Sequence, residues 1–181
     1  MIHYVSLLRG INVGGHKKVL MADLKALYQS LNLSNVSTYI QSGNVIFDSD
    51  IADKNKIKNI IEQAIEHQYG FTVPVELCTY AELEKIRMAL PFQNIDVKAD
   101  GGKMMIIFLS AQPISENIAK LSPLLNVSEK LDVGEHCLYL YCGDGFGKSK
   151  LTNKLIENKL KVSTTSRNLK TLIKLCELCR S

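Results

Sequence analysis

Long hydrophobic runs are missing from this 181-residue sequence. No apolar stretch exceeds Met104 to Leu109, which is far shorter than the roughly 18 residues that a membrane-spanning helix needs. The N-terminus also lacks a basic segment before a long apolar stretch, the pattern that is typical of a secretory signal. We therefore expect a protein that neither spans a membrane nor is exported.

A complete disulfide set is missing too, because the chain has five cysteines, an odd number. Cys176 and Cys179 form a C-x-x-C pair, but no second pair completes a zinc site, and both fall in the apolar stripe of a C-terminal helix. They are predicted to be small buried apolar side chains. The four histidines show no metal-ligand spacing. We predict a reduced, cytoplasmic protein with no metal site and no cofactor.

Arginine is scarce. The net charge of +4 combines eighteen lysines with only four arginines, at Arg9, Arg87, Arg167 and Arg180. A charge this small does not by itself indicate a nucleic-acid-binding protein. Because the planar guanidinium binds phosphate or carboxylate through two parallel hydrogen bonds, each arginine position is worth considering individually.

Periodic apolar patterns predict the elements of the first half. They are a strand at 3–9, a helix at 21–31, a hairpin with Ser42-Gly43 as a two-residue turn, a helix capped by Asp50 and ended by Gly70, and a strand at 73–77. Pro74 cannot donate to a ladder, which places this last strand at a sheet edge. Thr79 and Glu82 predict a capping box for the next helix.

This order of strand, helix, strand, strand, helix and strand is the split βαβ arrangement of ferredoxin-like folds. Residues 91–102 carry Pro, Asp, Asn and a Gly pair without periodicity, which indicates a linker. The order of elements then restarts, and it includes a predicted helix near 148–159. We predict an α+β protein of two tandem ferredoxin-like (split βαβ) subdomains, at 1–90 and 103–181, each with an appended helix.

The predicted topology brings two glycine-bearing segments to one sheet edge. The first strand ends at Arg9, and its C-terminal end should lie beside the hairpin at 41–44, because the first two strands run parallel with the third between them. The predicted ligand-binding residues are Arg9, Gly10, Asn12, Gly14, Gly15, His16 and Lys17 from the loop, and Gln41, Ser42, Gly43 and Asn44 from the hairpin.

These residue types suit an anion. Glycines let backbone N–H groups turn toward a ligand, the helix beginning near Met21 adds a positive dipole end, and Arg9 can bind a phosphate or carboxylate. The alternative is equally concrete: a simple tight turn beside an arginine paired with a neighbouring acid. Near the C-terminus Asn168 is predicted to cap the last helix, whereas Arg167 could reach the same ligand or another.

Several other classes of site are disfavoured. The loop lacks the G-x-G-x-x-G order of dinucleotide-binding proteins. The segment 142–151 resembles a phosphate-binding loop, but Cys142 stands where the Walker pattern requires its first glycine. The first strand is apolar on both sides, which argues against the exposed aromatic platform of RNA-binding domains. For catalysis, only His16 is placed for proton transfer.

The motifs resemble a known family. "LLRGINVGG" at 7–15 and "TYIQSGNVIF" at 38–47, with "GKSKL" at 147–151 and "TSRN" before the last helix, are similar to the domain of unknown function 1697 family. The resemblance implies ferredoxin-like α+β subdomains and a bacterial protein, and it implies no activity, substrate or cofactor. Two positions depart from the pattern: Leu169 replaces a tryptophan, and Leu20 replaces a proline.

The sequence thus predicts a protein that binds a small anionic ligand, such as a nucleotide or phosphorylated metabolite, at the edge shared by the glycine loop and the QSGN turn. A nucleic-acid-associated module and a non-catalytic oligomer or interaction protein are the alternatives, of which nucleic-acid binding is the less favoured. No reaction and no oligomeric state are predicted.

Overall fold

The structure is a computed structural model that describes residues 1–92 and 95–180. Its first seven elements form a four-stranded sheet with three helices. They are β1 (Ile2–Leu8), α1 (Met21–Ser30), β2 (Ser34–Tyr39), β3 (Asn44–Ser49), α2 (Lys54–Tyr69), β4 (Val75–Thr79) and α3 (Tyr80–Met88). The strand order is β2-β3-β1-β4, and all neighbouring strands are antiparallel. Strand β4 lies at the edge of the sheet, as predicted from Pro74.

Helices α1 and α2 cover one face of this sheet. Tyr4 and Phe47 stack with ring centroids 5.7 Å apart, and Tyr28 of α1 meets the Phe47 ring edge-on at 5.5 Å. Side chains alternate along a strand, so Val5 and Leu7 point to the opposite face, where both are fully buried. Strand β1 is therefore buried on both sides, as predicted from the apolar residues on both of its faces.

Side-chain caps fix the helix boundaries. The Asp53 carboxylate accepts the backbone N–H groups of Asn55 and Lys56 at the start of α2, so the prediction that Asp50 caps this helix is wrong. Asp50 lies outside the helix, whereas Asp53 directly precedes the first helical residue. The predicted capping box is confirmed, because Thr79 Oγ1 accepts from the Glu82 N–H at 3.2 Å and Glu82 accepts from the Thr79 N–H at 2.8 Å.

The hairpin between β2 and β3 has a longer turn than the sequence suggested. Tyr39 pairs with Asn44, which leaves residues 40–43 as a four-residue turn instead of the predicted two-residue turn at Ser42-Gly43. Ile40 and Gly43 have φ angles of +51° and +77°. The Gly43 N–H donates to the Ile40 carbonyl, which closes the turn.

Strand β2 contains a bulge. Its pairing register with β3 shifts between Ser34 and Ser37, and Asn35 within the bulge has a φ of +51°. The Asn35 amide donates to the Asp48 carboxylate at 2.6 Å, and His3 pairs with the other oxygen of this buried carboxylate. The bulge thus directs Asn35 back onto the sheet.

The remaining elements repeat this pattern in a second sheet. They are α4 (Val97–Asp100), β5 (Met104–Leu109), α5 (Ser115–Ala119), β6 (Glu129–Gly134), β7 (Cys137–Cys142), α6 (Asn153–Leu160), β8 (Thr164–Asn168) and α7 (Leu169–Arg180). The strand order β6-β7-β5-β8 is again fully antiparallel. Ile107, Leu138 and Leu140 of the sheet lie in the core together with Ile156 of α6.

Two compact units result, one of residues 1–83 with the end of α7 from Leu175, and one of residues 84–174. These bounds differ from the sequence-based division, which assigned all of α7 to the second half. Within the predicted linker 91–102 the structure has the short helix α4, because Asp96 accepts the N–H groups of Lys98 and Ala99. Gln93 and Asn94 of that linker lie outside the described residues.

Among residues 1–92 and 95–180, no helix combines the length and apolar character needed to cross a bilayer. The same residues contain no cluster of three His, Cys, Asp or Glu side chains suited to a metal ion. All five cysteines are free thiols, and four of them are buried.

Candidate functional site

The glycine loop and the hairpin turn meet within the first unit. The Leu8 N–H donates to the Gly43 carbonyl at 2.8 Å, which joins the end of β1 to the turn. A Cβ atom on Gly43 would lie 2.6 Å from Ile11 Cδ1 and 2.8 Å from Leu8 Cβ. Since Ile11 is fully buried, the loop packs directly onto the turn and only glycine fits between them.

Asn12 links the loop, the hairpin and the start of α1. Its Nδ2 donates to the carbonyls of Val19 and Gln41, each at 2.9 Å, and its Oδ1 accepts the Val19 N–H at the same distance. Its backbone N–H bonds to the Lys17 carbonyl at 3.1 Å. Asn12 therefore fixes both segments at one rim, which we define as residues 9–20 together with residues 40–43.

The backbone of this rim is unusually rich in left-handed conformations. Of the thirteen residues with positive φ in the described chain, seven lie here: Gly10, Asn12, Gly14, Gly15, Lys17, Ile40 and Gly43. The Val13 and His16 backbones pair across Gly14 and Gly15, whose φ angles are +58° and +79°. Left-handed residues let backbone N–H groups turn toward a ligand, as they do in anion-binding backbone concavities.

The charge of the rim has one sign. Arg9, Lys17 and Lys18 lie on the loop, and residues 9–22 and 31–47 contain no Asp or Glu. Lys18 is exposed and Arg9 is half-buried. Lys17 Nζ donates to the Thr72 carbonyl at 2.6 Å and lies 5.7 Å from the centre of the Phe71 ring, so this ammonium also helps to hold the loop.

The predicted site residues differ in exposure. Gly10, Gly14, Gly15, His16 and Gln41 are exposed, Arg9, Asn12, Lys17 and Ser42 are half-buried, and Gly43 and Asn44 are buried. Asn44 Nδ2 donates to the Tyr39 carbonyl at 2.8 Å and to Ser42 Oγ at 3.2 Å. Asn44 thus supports the hairpin, and the exposed polar surface is formed by the other residues.

Arg167 lies in the second unit, on strand β8. The residue is 7% exposed, its guanidinium donates to the Ser166 carbonyl at 2.9 Å, and burial lowers its pKa to about 10. Its predicted role in ligand binding stays a prediction. Asn168 caps α7, as expected, because its Oδ1 accepts the Thr171 N–H at 2.9 Å.

The glycine-rich segment 142–151 forms a turn followed by a short 3-10 segment at Phe146–Lys148. Helix α6 begins only at Asn153, with Thr152 as its N-cap, and the expected start near residue 148 is therefore wrong. In a nucleotide-binding phosphate loop the lysine leads directly into the helix. Here Lys148 is separated from α6, as expected if the segment 142–151 is a structural turn.

Sequence reasoning missed three apolar residues of the rim. Val13, Leu20 and Ile40 are 65%, 66% and 46% exposed. Leu20 is the N-cap of α1 and makes no side-chain capping bond. Of the three residues, Leu20 could have been identified from the sequence, because it directly precedes the first helical residue, where a polar N-cap is usual.

Together, the fold and the rim define a two-unit α+β protein with a basic, glycine-rich edge on its first sheet. The chain belongs to the family described as "Protein of unknown function (DUF1697)", which matches residues 1–139 and confirms the resemblance of the sequence motifs. It is also similar to the solved structure of a conserved bacterial protein from Streptococcus pneumoniae, with 26% sequence identity, a TM-score of 0.76 and 98% of each chain covered. No curated protein shows a significant match.

Proposed function

We propose that this protein binds a small anionic ligand, a nucleotide or phosphorylated metabolite, at the rim of residues 9–20 and 40–43. The observation that carries the proposal is the Asn12 side chain, which holds the loop and the hairpin together through bonds to Val19 and Gln41. It keeps the exposed glycine amides and the basic side chains on one edge.

Charge supports the same proposal. Arg9, Lys17 and Lys18 lie within ten positions of one another, and residues 9–22 and 31–47 contain no Asp or Glu. Arg9 and Lys18 would neutralise the anion, the backbone N–H groups of Gly14 and Gly15 would donate hydrogen bonds to its oxygens, and Gln41 would orient it. His16 is the only histidine among the rim residues, and no reaction is proposed.

Thermal unfolding in the presence of nucleotides, sugar phosphates and inorganic pyrophosphate tests this binding. A ligand at a hundredfold excess over its Kd adds about 2.7 kcal/mol to the free energy of unfolding, which raises Tm by a few degrees. Replacing Arg9 with alanine should abolish this shift. The matched control is Lys148→Ala, which removes an exposed lysine from the glycine-rich turn of the second unit and should leave the shift intact.

The unliganded Tm of each variant separates folding from binding. An Arg9→Ala protein that folds and still responds to the ligand like the wild type would eliminate the proposal. Native mass spectrometry of the protein purified from its own host would identify a co-purified ligand directly.

A nucleic-acid role is less well supported. Stacking of bases needs exposed aromatic rings on the central strands. In the first unit Tyr4 and Phe47 are buried beneath the helices, and the other face of β1 is buried as well. A titration of RNA binding against salt tests this alternative, because neutralised phosphates give a steep slope. A non-catalytic interaction role would instead appear as a concentration-dependent mass in sedimentation equilibrium.

We also propose that both units have the ferredoxin-like fold. The β-α-β-β-α-β order and the sheet orders β2-β3-β1-β4 and β6-β7-β5-β8 support a ferredoxin-like classification for both units. A bacterial origin is supported by the Streptococcus pneumoniae relative, and a cytoplasmic location by five cysteines held as free thiols.

A further inference from the structure

Exposed apolar residues stand next in the chain to the three residues that the Asn12 side chain joins. Val13 follows Asn12, Leu20 follows Val19, and Ile40 precedes Gln41. The carbonyls of Val19 and Gln41 both lie 2.9 Å from Asn12 Nδ2. These bonds therefore keep the backbones of three exposed apolar residues within one small part of the rim.

Ile40 occupies a backbone conformation that its side chain disfavours. Its φ is +51°, in the left-handed region, where asparagine and glycine are comfortable and β-branched residues are genuine outliers. Burial does not compensate, because the side chain is 46% exposed. Asparagine or glycine at position 40 would stabilise this backbone conformation better than isoleucine.

Leu20 shows the same conflict at the start of α1. The N-cap position favours Ser, Thr, Asp or Asn, whose oxygen accepts an otherwise unpaired helix N–H group. Leu20 provides no such bond and is 66% exposed. Residues that violate local preferences without a gain in packing are expected at functional sites.

We infer that the ligand of this rim is a phosphate monoester that carries an apolar substituent, with Val13, Leu20 and Ile40 contacting the substituent. The inference rests on the proposed anion-binding function and names the chemistry of its ligand. The basic loop binds the phosphate, and the apolar side chains bury the group attached to it. A soluble organic phosphate and a lipid headgroup both have this chemistry.

Calorimetric titration with methyl phosphate and hexyl phosphate measures the contribution of the substituent. The wild type should bind hexyl phosphate about tenfold more tightly, which is the factor expected from burying roughly two methylene groups. The double variant Leu20→Ser, Ile40→Asn, which retains Val13, should lose most of the preference for hexyl phosphate. Its Tm should not fall, because both substitutions suit the local backbone.

The matched control is Ile114→Asn, which removes a 59% exposed apolar side chain from the second unit and should keep the tenfold preference. Equal affinities of the wild type for the two phosphates would overturn this inference and leave the proposed function standing. Binding of neither compound would overturn both. A fall in Tm of the double variant with the preference retained would assign Leu20 and Ile40 to folding and overturn the inference.

Vesicles distinguish the two sources of the phosphate. Cosedimentation with phosphatidic acid vesicles, lost in the double variant, would support the inference with a lipid as the ligand. Binding of hexyl phosphate without cosedimentation would support it with a soluble ligand.

Discussion

The corresponding edges of the two sheets carry loops that differ in length, charge and glycine content. In both, the first strand ends with a backbone bond to the hairpin turn: Leu8 to Gly43 at 2.8 Å, and Leu109 to His136 at 3.0 Å. In the first unit the following loop, residues 9–20, is long, basic and glycine-rich. In the second unit residues 110–114 form the corresponding loop, which is short and has no glycine and no charge.

Each loop is tied to its hairpin by an amide side chain, but with different strength. Asn12 makes three bonds of 2.9 Å to Val19 and Gln41, whereas Gln112 accepts the His136 N–H at 3.4 Å. The topology therefore brings a loop and a turn together in both units. The two loops differ in length and residue types, and the loop of the first unit supplies the basic side chains on which the proposed function relies.

The largest expected loss of stability comes from substituting one glycine at each hairpin. In Gly43→Ala, a Cβ would overlap Ile11 and Leu8 at a φ of +77°, so we expect a loss of about 3 kcal/mol in the free energy of unfolding. Gly134→Ala in the second unit also overlaps side chains, at 2.7 Å, but without a positive φ, so about 1–2 kcal/mol is expected. Urea titration measures both. Equal losses would contradict the role given to backbone conformation.

Next in size is Asn12→Ala, which removes three hydrogen bonds and leaves the Val19 N–H without its partner. We expect a loss of about 2 kcal/mol and faster hydrogen exchange at the Val19 amide. The counterpart Gln112→Ala removes one long bond at an exposed site and should cost under about 0.5 kcal/mol. If the two variants were equally stable, Asn12 would not be the residue that holds the rim together.

A smaller effect is expected at the tip of the loop. Gly14→Ala meets only His16 Cδ2, at 3.9 Å, so its cost is the left-handed φ of +58°, about 1 kcal/mol. Gly102→Ala in the second unit, with open space and no positive φ, should leave the unfolding midpoint unchanged or slightly higher. A Gly14→Ala protein as stable as the wild type would show that this turn readily adopts another conformation.

The smallest expected change in the free energy of unfolding at neutral pH concerns the first residue of the second strand in each hairpin. This residue is Asn44 in the first unit and Cys137 in the second, and burial raises the pKa of Cys137 and of Cys142 from 9.0 to about 11. Thiols of the unfolded chain ionise first, so their stabilising contribution is complete below pH 9 and is lost as the pH rises toward 11. Urea titrations between pH 8 and 10.5 should show this decline, reduced in Cys137→Ala, Cys142→Ala. An identical decline in that variant would contradict the thiol origin.

Most of the fold could be predicted because its signals are local. Pro74 indicated an edge strand, Thr79 and Glu82 indicated a helix start, and the order of periodic segments indicated which strands are neighbours. The meeting of the glycine loop with the hairpin followed from that topology. The bond from Asn12 to Gln41 confirms that meeting.

What could not be predicted depends on tertiary packing. Nothing in the identity of Ile40 indicates a left-handed residue, so the turn was expected to have two residues instead of four. Lys17 was predicted only as a ligand-binding residue, and its bond to the Thr72 carbonyl could not be predicted because it joins residues 55 positions apart. The start of α6 was placed too early because the sequence at Phe146–Lys148 continues into the helix without a break in composition, although Thr152 supplies the cap.

The bulge in β2 has a consequence for solubility. Strand β2 is an edge strand, and a flat edge with unpaired N–H and C=O groups can recruit strands from other chains into aggregates. Asn35 interrupts the regular row of these groups and twists the strand, which makes the edge a poor template. On the other sheet the edge strand β6 has no register shift and carries outward charges at Lys130 and Asp132, so each sheet discourages intermolecular association by different means.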